Sequence, residues 1–343
     1  MRLFRRFFDK VHPQPWAPPS LKPDAVARAL TRKDPVRIVT NGGISDDRID
    51  RMKLVKDGQG DPASISTMHE DAKTDPQVAK MIETYKLWKT PREQIESYYE
   101  LGVGQAVADL MSRFGIGPAQ SIADVGCGLG WLAYSLDRIG FRNLTAMDPS
   151  ASALEELRNL AGDRIDIISD LDEWRAIRNR FDAIITVATI HHWEHIPWIS
   201  LEARRTMKPG AYWFAVMEWF ADTPAEFFQA MDTHPTRERY NQYEWAYPAS
   251  AYVDLIQSVG FTLCAVVPQH YRDSALLTIS SAIKRPGKID VEKLNAFVDA
   301  NLTGLNGTVE LFWEEVDARL RRGGSKLFSR PQVLVFQRTT AGD

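Results

Sequence analysis

The chain has 343 residues, 44% of them apolar and 25% charged, which suffices for one large domain with insertions or for two domains. Its 42 Lys and Arg against 45 Asp and Glu leave a formal charge of -3; with no cationic excess to neutralise a phosphate backbone, nucleic acid is not expected as a partner. Two cysteines, Cys127 and Cys264, are too few for a disulfide framework or a zinc site, and a reducing, cytoplasmic setting fits them.

No apolar run approaches the roughly 20 residues of a membrane-spanning helix; the richest stretch, 212–220, already contains Glu218. The opening residues, MRLFRRFFDKVHPQPW, are cationic but lack the apolar core and small-residue cleavage site of a signal peptide, and are read as retained. Leu3, Phe4, Phe7, Phe8 and Val11 share one helical face, with Arg2, Arg5, Arg6 and Lys10 around it. Residues 1–11 therefore either make peripheral contact with an anionic membrane or form an arm packed on their own domain or on a second subunit of a homodimer. The arm is favoured, because one short helix buries little and stable anchoring takes a second signal.

Five prolines between 12 and 23 make an extended linker. Residues 33–75 are rich in Asp, Gly and Ser, with a strand candidate at 36–40 and no legible function. Helical periodicity returns at 78–88 and 92–114, with Thr90, Pro91 and Glu93 supplying a cap and first turn. From 116 to about 284, β-rich runs at 121–125, 143–147, 166–168, 183–187, 211–217 and 262–267 alternate with helices, clearest at 131–139 and 151–160. The alternation predicts an α/β fold: a doubly wound, mostly parallel, seven-stranded Rossmann-like sheet with helices on both faces, completed by a strand at 332–337, with ligands at the carboxyl ends of its strands. The expected division is an N-terminal arm and cap region (1–90), a core (91–284 with 331–340), an insertion or lid within it (221–247), and a helical cap (285–330).

The segment Asp124-Val125-Gly126-Cys127-Gly128-Leu129-Gly130 ends a strand in a glycine-rich turn that opens a helix. Glycines let backbone approach a ligand closely, and free N–H groups at the helix start favour a carboxylate or phosphate. The D-x-G-x-G-x-G spacing departs from the G-x-G-x-x-G of dinucleotide sites. Asp148 closes the next strand, where an acid can accept hydrogen bonds from both hydroxyls of a ribose. Asp170 follows the third strand, placed either to meet an adenine amino group or to cap the helix after it. The fourth strand runs into His191, His192 and Trp193.

On these residues the sequence resembles the class I S-adenosylmethionine-dependent methyltransferases, in their small-molecule branch, over about half the chain. The resemblance implies S-adenosylmethionine as cofactor, with S-adenosylhomocysteine as product. It assigns cofactor contacts to Asp124, Gly126, Cys127, Gly128 and Gly130, to Asp148, to Asp170 and Leu171, and to Val187, with Tyr98 or Tyr99 of the helix before the core as a cover. Phe181-Asp182, His191-His192 and Lys208-Pro209-Gly210 are similar to later landmarks of the family.

A methyl transfer needs alignment above all, and a hydroxyl acceptor profits from a base near neutrality. His191 and His192 are the candidates, with Glu218 a further one; the plainer reading is that they pack or cap. Trp193, Tyr240, Tyr243 and Trp245 are expected on the acceptor side, the last three within an aromatic-rich insertion that could equally be ordinary core. Residues 186–189 read Thr-Val-Ala-Thr rather than the Asn/Asp-Pro-Pro-Tyr/Phe of relatives that methylate adenine or glutamine. No cluster has metal-ligand spacing, so no metal is expected. The expected reaction is methylation of a small-molecule acceptor, foremost at a hydroxyl of a sugar, glycan or lipid precursor or specialised metabolite. The alternative is a non-catalytic scaffold that kept the fold; a nicotinamide-dependent oxidoreductase is disfavoured by the glycine spacing.

Overall fold

A computed structural model describes residues 71–84, 90–193, 196–223, 225–227, 245–268, 291–302, 307–322, 328 and 331–340. The amphipathic N-terminus, the strand candidate at 36–40, and Tyr240 and Tyr243 lie outside them.

Among the described residues, three helices precede the sheet: α1 (Pro76–Thr84), α2 (Pro91–Glu100) and α3 (Val103–Ser112). The Thr90 side chain caps α2 by accepting from the Glu93 amide at 3.2 Å. The single helix expected over 92–114 is two. Gly102 stands at φ 72°, in the left-handed region, and ends one helix while starting the next.

The alternating core follows as β1 (Ser121–Val125), α4 (Trp131–Arg138), β2 (Asn143–Met147), α5 (Glu155–Ala161), β3 (Ile165–Ile168), α6 (Leu171–Ala176), β4 (Phe181–Val187), α7 (Ile196–Thr206), β5 (Met207–Val216), α8 (Ala249–Gln257), β6 (Phe261–Pro268), α9 (Val291–Leu302), α10 (Gly307–Arg322) and β7 (Pro331–Arg338). The sheet order is β3-β2-β1-β4-β5-β7-β6. Strands β1 to β5 pair parallel, and β7 inserts antiparallel between β5 and β6. The chain thus forms a mostly parallel seven-stranded sheet flanked by helices, as the alternation predicts.

Strand residues alternate between two apolar layers, as the two-residue side-chain period requires. Ile184, Trp213 and Ala215 pack in one layer with Ala203 of α7, Tyr252 and Ile256 of α8 and Phe312 of α10. Ala183, Ile185, Phe214 and Val216 pack in the other with Val107 and Met111 of α3, Leu132 and Leu136 of α4 and Leu157 of α5.

At the amino ends of the strands, Asp182 accepts from the Ser121 amide at 2.9 Å and from Lys208 Nζ at 2.8 Å. Two of the sequence landmarks therefore join β1, β4 and β5 at the end opposite the glycine turn.

Candidate active site

Because β1 and β4 are neighbours at the centre of the sheet and β2 flanks β1, their carboxyl ends bring the glycine turn, Asp148 and the segment after β4 together. Gly126, Gly128 and Gly130 all have positive φ, at 66°, 56° and 76°. The amides of Gly126 and Cys127 donate to Met147 O, at 2.8 and 3.1 Å, which ties the turn to the end of β2. A Cβ on Gly126 would collide with Thr189 Cγ2 and one on Gly130 with Leu157 Cδ2, whereas a Cβ on Gly128 would meet nothing within 4 Å. Two of the glycines are thus needed for packing, and the middle one opens onto space.

Asp124 is buried, and its carboxylate accepts from the Ala133 amide in the first turn of α4 at 3.2 Å. Burial pushes its carboxyl up to about 7, the Ala133 hydrogen bond opposes the rise, and neighbouring Asp148 adds to it. Asp148 accepts from the Gly128 amide at 2.8 Å and, through its other oxygen, from the Ser150 amide at 2.9 Å. Its carboxyl is also raised, by burial first, against the pull of those two amides. Each carboxylate oxygen has two lone pairs, so Asp148 keeps acceptor capacity for further hydroxyls. The same surroundings, burial first and then the two acids, raise the Cys127 thiol well above its ordinary value, so it is no thiolate nucleophile.

Asp170 caps α6, its Oδ1 accepting from the Asp172 amide at 2.7 Å and the Glu173 amide at 3.4 Å. The capping role anticipated for it is present, while Oδ2 takes no part in the cap. Leu171 begins α6 and is half-buried, as is Val187, which closes β4 beside Val216 of β5.

The segment after β4 is anchored to the end of β5. Ala188 and Met217 both adopt left-handed backbone conformations without being glycine, φ 50° and 55°, and such strain concentrates at functional sites. The Glu218 side chain is buried; Oε1 accepts from the amides of Thr189 and Ile190, each at 3.1 Å. Oε2 accepts from the His191 amide at 3.3 Å and lies 2.9 Å from His191 Nδ1. Expected as a base, Glu218 is instead engaged by four donors and serves to hold the turn Ile190–His192 and the ring of His191. A carboxylate only accepts, so Nδ1 is the donor, and in the neutral form of the ring the lone pair then falls on Nε2.

His191 is buried and His192 exposed, with ring centres 4.3 Å apart. Trp219, not anticipated from the sequence, is among the few exposed large apolar side chains, and its ring lies 5.8 Å from His191.

The remaining aromatic expectations fare differently. Tyr99, expected as a cofactor cover, packs edge-on against Tyr134 with Arg138 over its ring, along α4. Tyr98 is the ring that meets Trp131, the first residue of α4, at 4.5 Å, and burial pushes its hydroxyl up to about 12. One step in sequence turns a helical side chain by about 100°, and nothing local in Tyr98-Tyr99 tells which of the pair faces the turn. Trp193 is half-buried with its ring 6.2 Å from Trp213. Trp245, expected on the acceptor side, is buried with Phe227 and Tyr247 around it, and its amide donates to His191 O at 2.5 Å. Among the described residues, no group of three or more His, Cys, Asp or Glu side chains is arranged to hold a metal ion.

The turn leaves room for a ligand: a Cβ on Gly128 would meet nothing within 4 Å, and the Asp148 carboxylate lies 2.8 Å from the Gly128 amide. Residues 123–215 match the family model described as "Methyltransferase domain". No curated protein sequence matches the chain. Among solved structures, it is similar to a Galdieria sulphuraria protein proposed to be a sarcosine dimethylglycine methyltransferase, at 17% identity over 70% of this chain and 86% of that one, TM-score 0.45. It is also similar to geranyl diphosphate C-methyltransferase from Streptomyces coelicolor A3(2), at 13% identity over 69% and 79%, TM-score 0.43, and to the [4+2]-cyclase SpnF, at 15% over 69% and 81%, TM-score 0.41. The glycine turn and Asp148 lie within the family-model match, at the carboxyl edge of the sheet, so residues 123–215 are a methyltransferase domain.

Proposed function

We propose that the enzyme methylates a hydroxyl group of a small-molecule acceptor, with His191 as general base and Glu218 as the residue that positions it. The observation that carries this is the buried 2.9 Å contact between His191 Nδ1 and Glu218 Oε2 at the carboxyl edge of β4 and β5. S-adenosylmethionine, when bound, supplies an activated methyl group on a sulfonium. Asp148 takes the ribose hydroxyls, Asp170 meets the adenine amino group through Oδ2, and the glycine turn receives the methionine portion. The Nε2 lone pair of His191 accepts the hydroxyl proton of the acceptor, and the Glu218 carboxylate stabilises the resulting imidazolium. A sugar, a glycan or lipid precursor, or a specialised metabolite supplies such a hydroxyl. A reducing cytoplasmic setting suits the two free thiols, Cys127 and Cys264.

The test is transfer of a labelled methyl group to a panel of sugars, phenols and aliphatic alcohols. The wild type is expected to label an oxygen, and His191→Asn to lower kcat by about 10²–10⁴-fold while S-adenosylhomocysteine still binds. An undiminished rate in His191→Asn removes the histidine from the reaction.

A further inference from the structure

Thr189 sits between the glycine turn and the His191–Glu218 pair and touches both. Its Cγ2 occupies the space a side chain on Gly126 would need. Its Oγ1 lies 3.0 Å from Gly126 O and 2.9 Å from Val187 O, and its amide donates to Glu218 Oε1 at 3.1 Å. Through the same carboxylate the chain of contacts reaches His191 Nδ1. The path from the turn to the imidazole therefore crosses hydrogen bonds of 2.9 to 3.1 Å and two residues, Thr189 and Glu218.

A hydroxyl has one proton to give. Two carbonyls stand within reach of Thr189 Oγ1, and at any moment the proton serves one of them well. Donation to Gly126 O fastens the segment after β4 to the glycine turn; donation to Val187 O fastens it to its own strand. These are two discrete arrangements of one side chain. A ligand that settles the backbone of the turn favours one of them, which is what coupling between two sites requires.

We propose that Thr189 is a positioning residue that links occupation of the glycine turn to the setting of the His191 ring. The proposal rests on the assignment of that turn to the cofactor. By reciprocity, a change at His191 then alters cofactor affinity by the same factor that the cofactor alters the ring.

The experiment follows histidine ring nitrogens by long-range proton–nitrogen NMR on the full chain labelled in histidine, with S-adenosylhomocysteine as the probe and His191→Asn to assign the signal. In the wild type, the His191 resonances are expected to move on saturation. In Thr189→Val, which keeps the branched shape but loses the hydroxyl, the probe is expected to bind within about tenfold of wild type, the 1.4 kcal/mol scale of a single hydrogen bond, while the His191 response is lost. Thr189→Ser, which keeps the hydroxyl, is expected to restore it. A His191 response in Thr189→Val equal to wild type overturns the proposal, as does its loss in Thr189→Ser, the variant that decides the matter if the valine protein does not fold. Absence of S-adenosylhomocysteine binding to the folded wild type overturns the cofactor assignment itself, a result distinct from binding without a His191 response.

Discussion

The carboxylate of Asp148 and the amide of Gly128 meet at 2.8 Å, so the acid that closes β2 also shapes the glycine turn that follows β1. Binding and stability are joined at this residue. Asp148→Ala strands the Gly128 and Ser150 amides, at about 1–3 kcal/mol for a buried group left unpaired, and is expected to lower the melting temperature as well as abolish S-adenosylhomocysteine binding. Asp148→Asn keeps one acceptor oxygen and should lose less of both. Thermal denaturation beside calorimetry separates the two effects.

Asp124 gives stability a pH dependence of defined sign. Its carboxyl is raised to about 7 in the fold, against about 3.9 in an unfolded chain. Between these values the folded state holds a proton that the unfolded chain has released, so stability falls as pH rises through this window. Asp124→Asn retains an oxygen for the Ala133 amide and removes the titration. The wild type is expected to lose stability relative to the variant from pH 4 to pH 8; parallel denaturation curves for the two proteins across that range would remove Asp124 as the source.

The three glycines of the turn differ in what they do. Gly130→Ala pays for left-handed backbone, about 1 kcal/mol, and for overpacking against the buried Leu157, about 1–3 kcal/mol more. Gly128→Ala meets only the backbone term, since its Cβ points to open space. Alanine at 128 should therefore lower the melting temperature by the backbone cost alone, about 1 kcal/mol, while weakening S-adenosylhomocysteine at least tenfold, and alanine at 130 should lower the melting temperature further. Similar melting temperatures for the two variants would contradict this division.

Asp182 and Lys208 lie at the far end of the sheet from the site, and neither is expected to affect the chemistry. Lys208→Ala breaks a half-exposed ion pair, worth about 0–1 kcal/mol. Asp182→Ala also strands the Ser121 amide and should cost about 1–3 kcal/mol. Both variants are expected to bind S-adenosylhomocysteine like wild type, which equilibrium titration checks.

Much of the core was legible in the sequence because burial leaves periodic traces. Strands β1 and β2 coincide residue for residue with the apolar runs 121–125 and 143–147, each bounded by polar or turn residues. The break at Gly102 was not legible, since a lone glycine inside a helical pattern is tolerated as often as it stops one. Glu218 could be placed at the end of β5 but not recognised as the hub of four hydrogen bonds, because its partners lie 27 to 29 residues away. Thr189 carried no signal at all. Its importance arises from the closeness of Gly126, a relationship only the parallel pairing of β1 with β4 creates.

The most direct measurement is calorimetric titration of the folded full chain with S-adenosylhomocysteine, run beside NAD. A micromolar, single-site isotherm is expected for the sulfur ligand, disappearing in Gly128→Val, with no heat from NAD. A folded protein that binds NAD in its place, or neither ligand, would contradict the cofactor assignment.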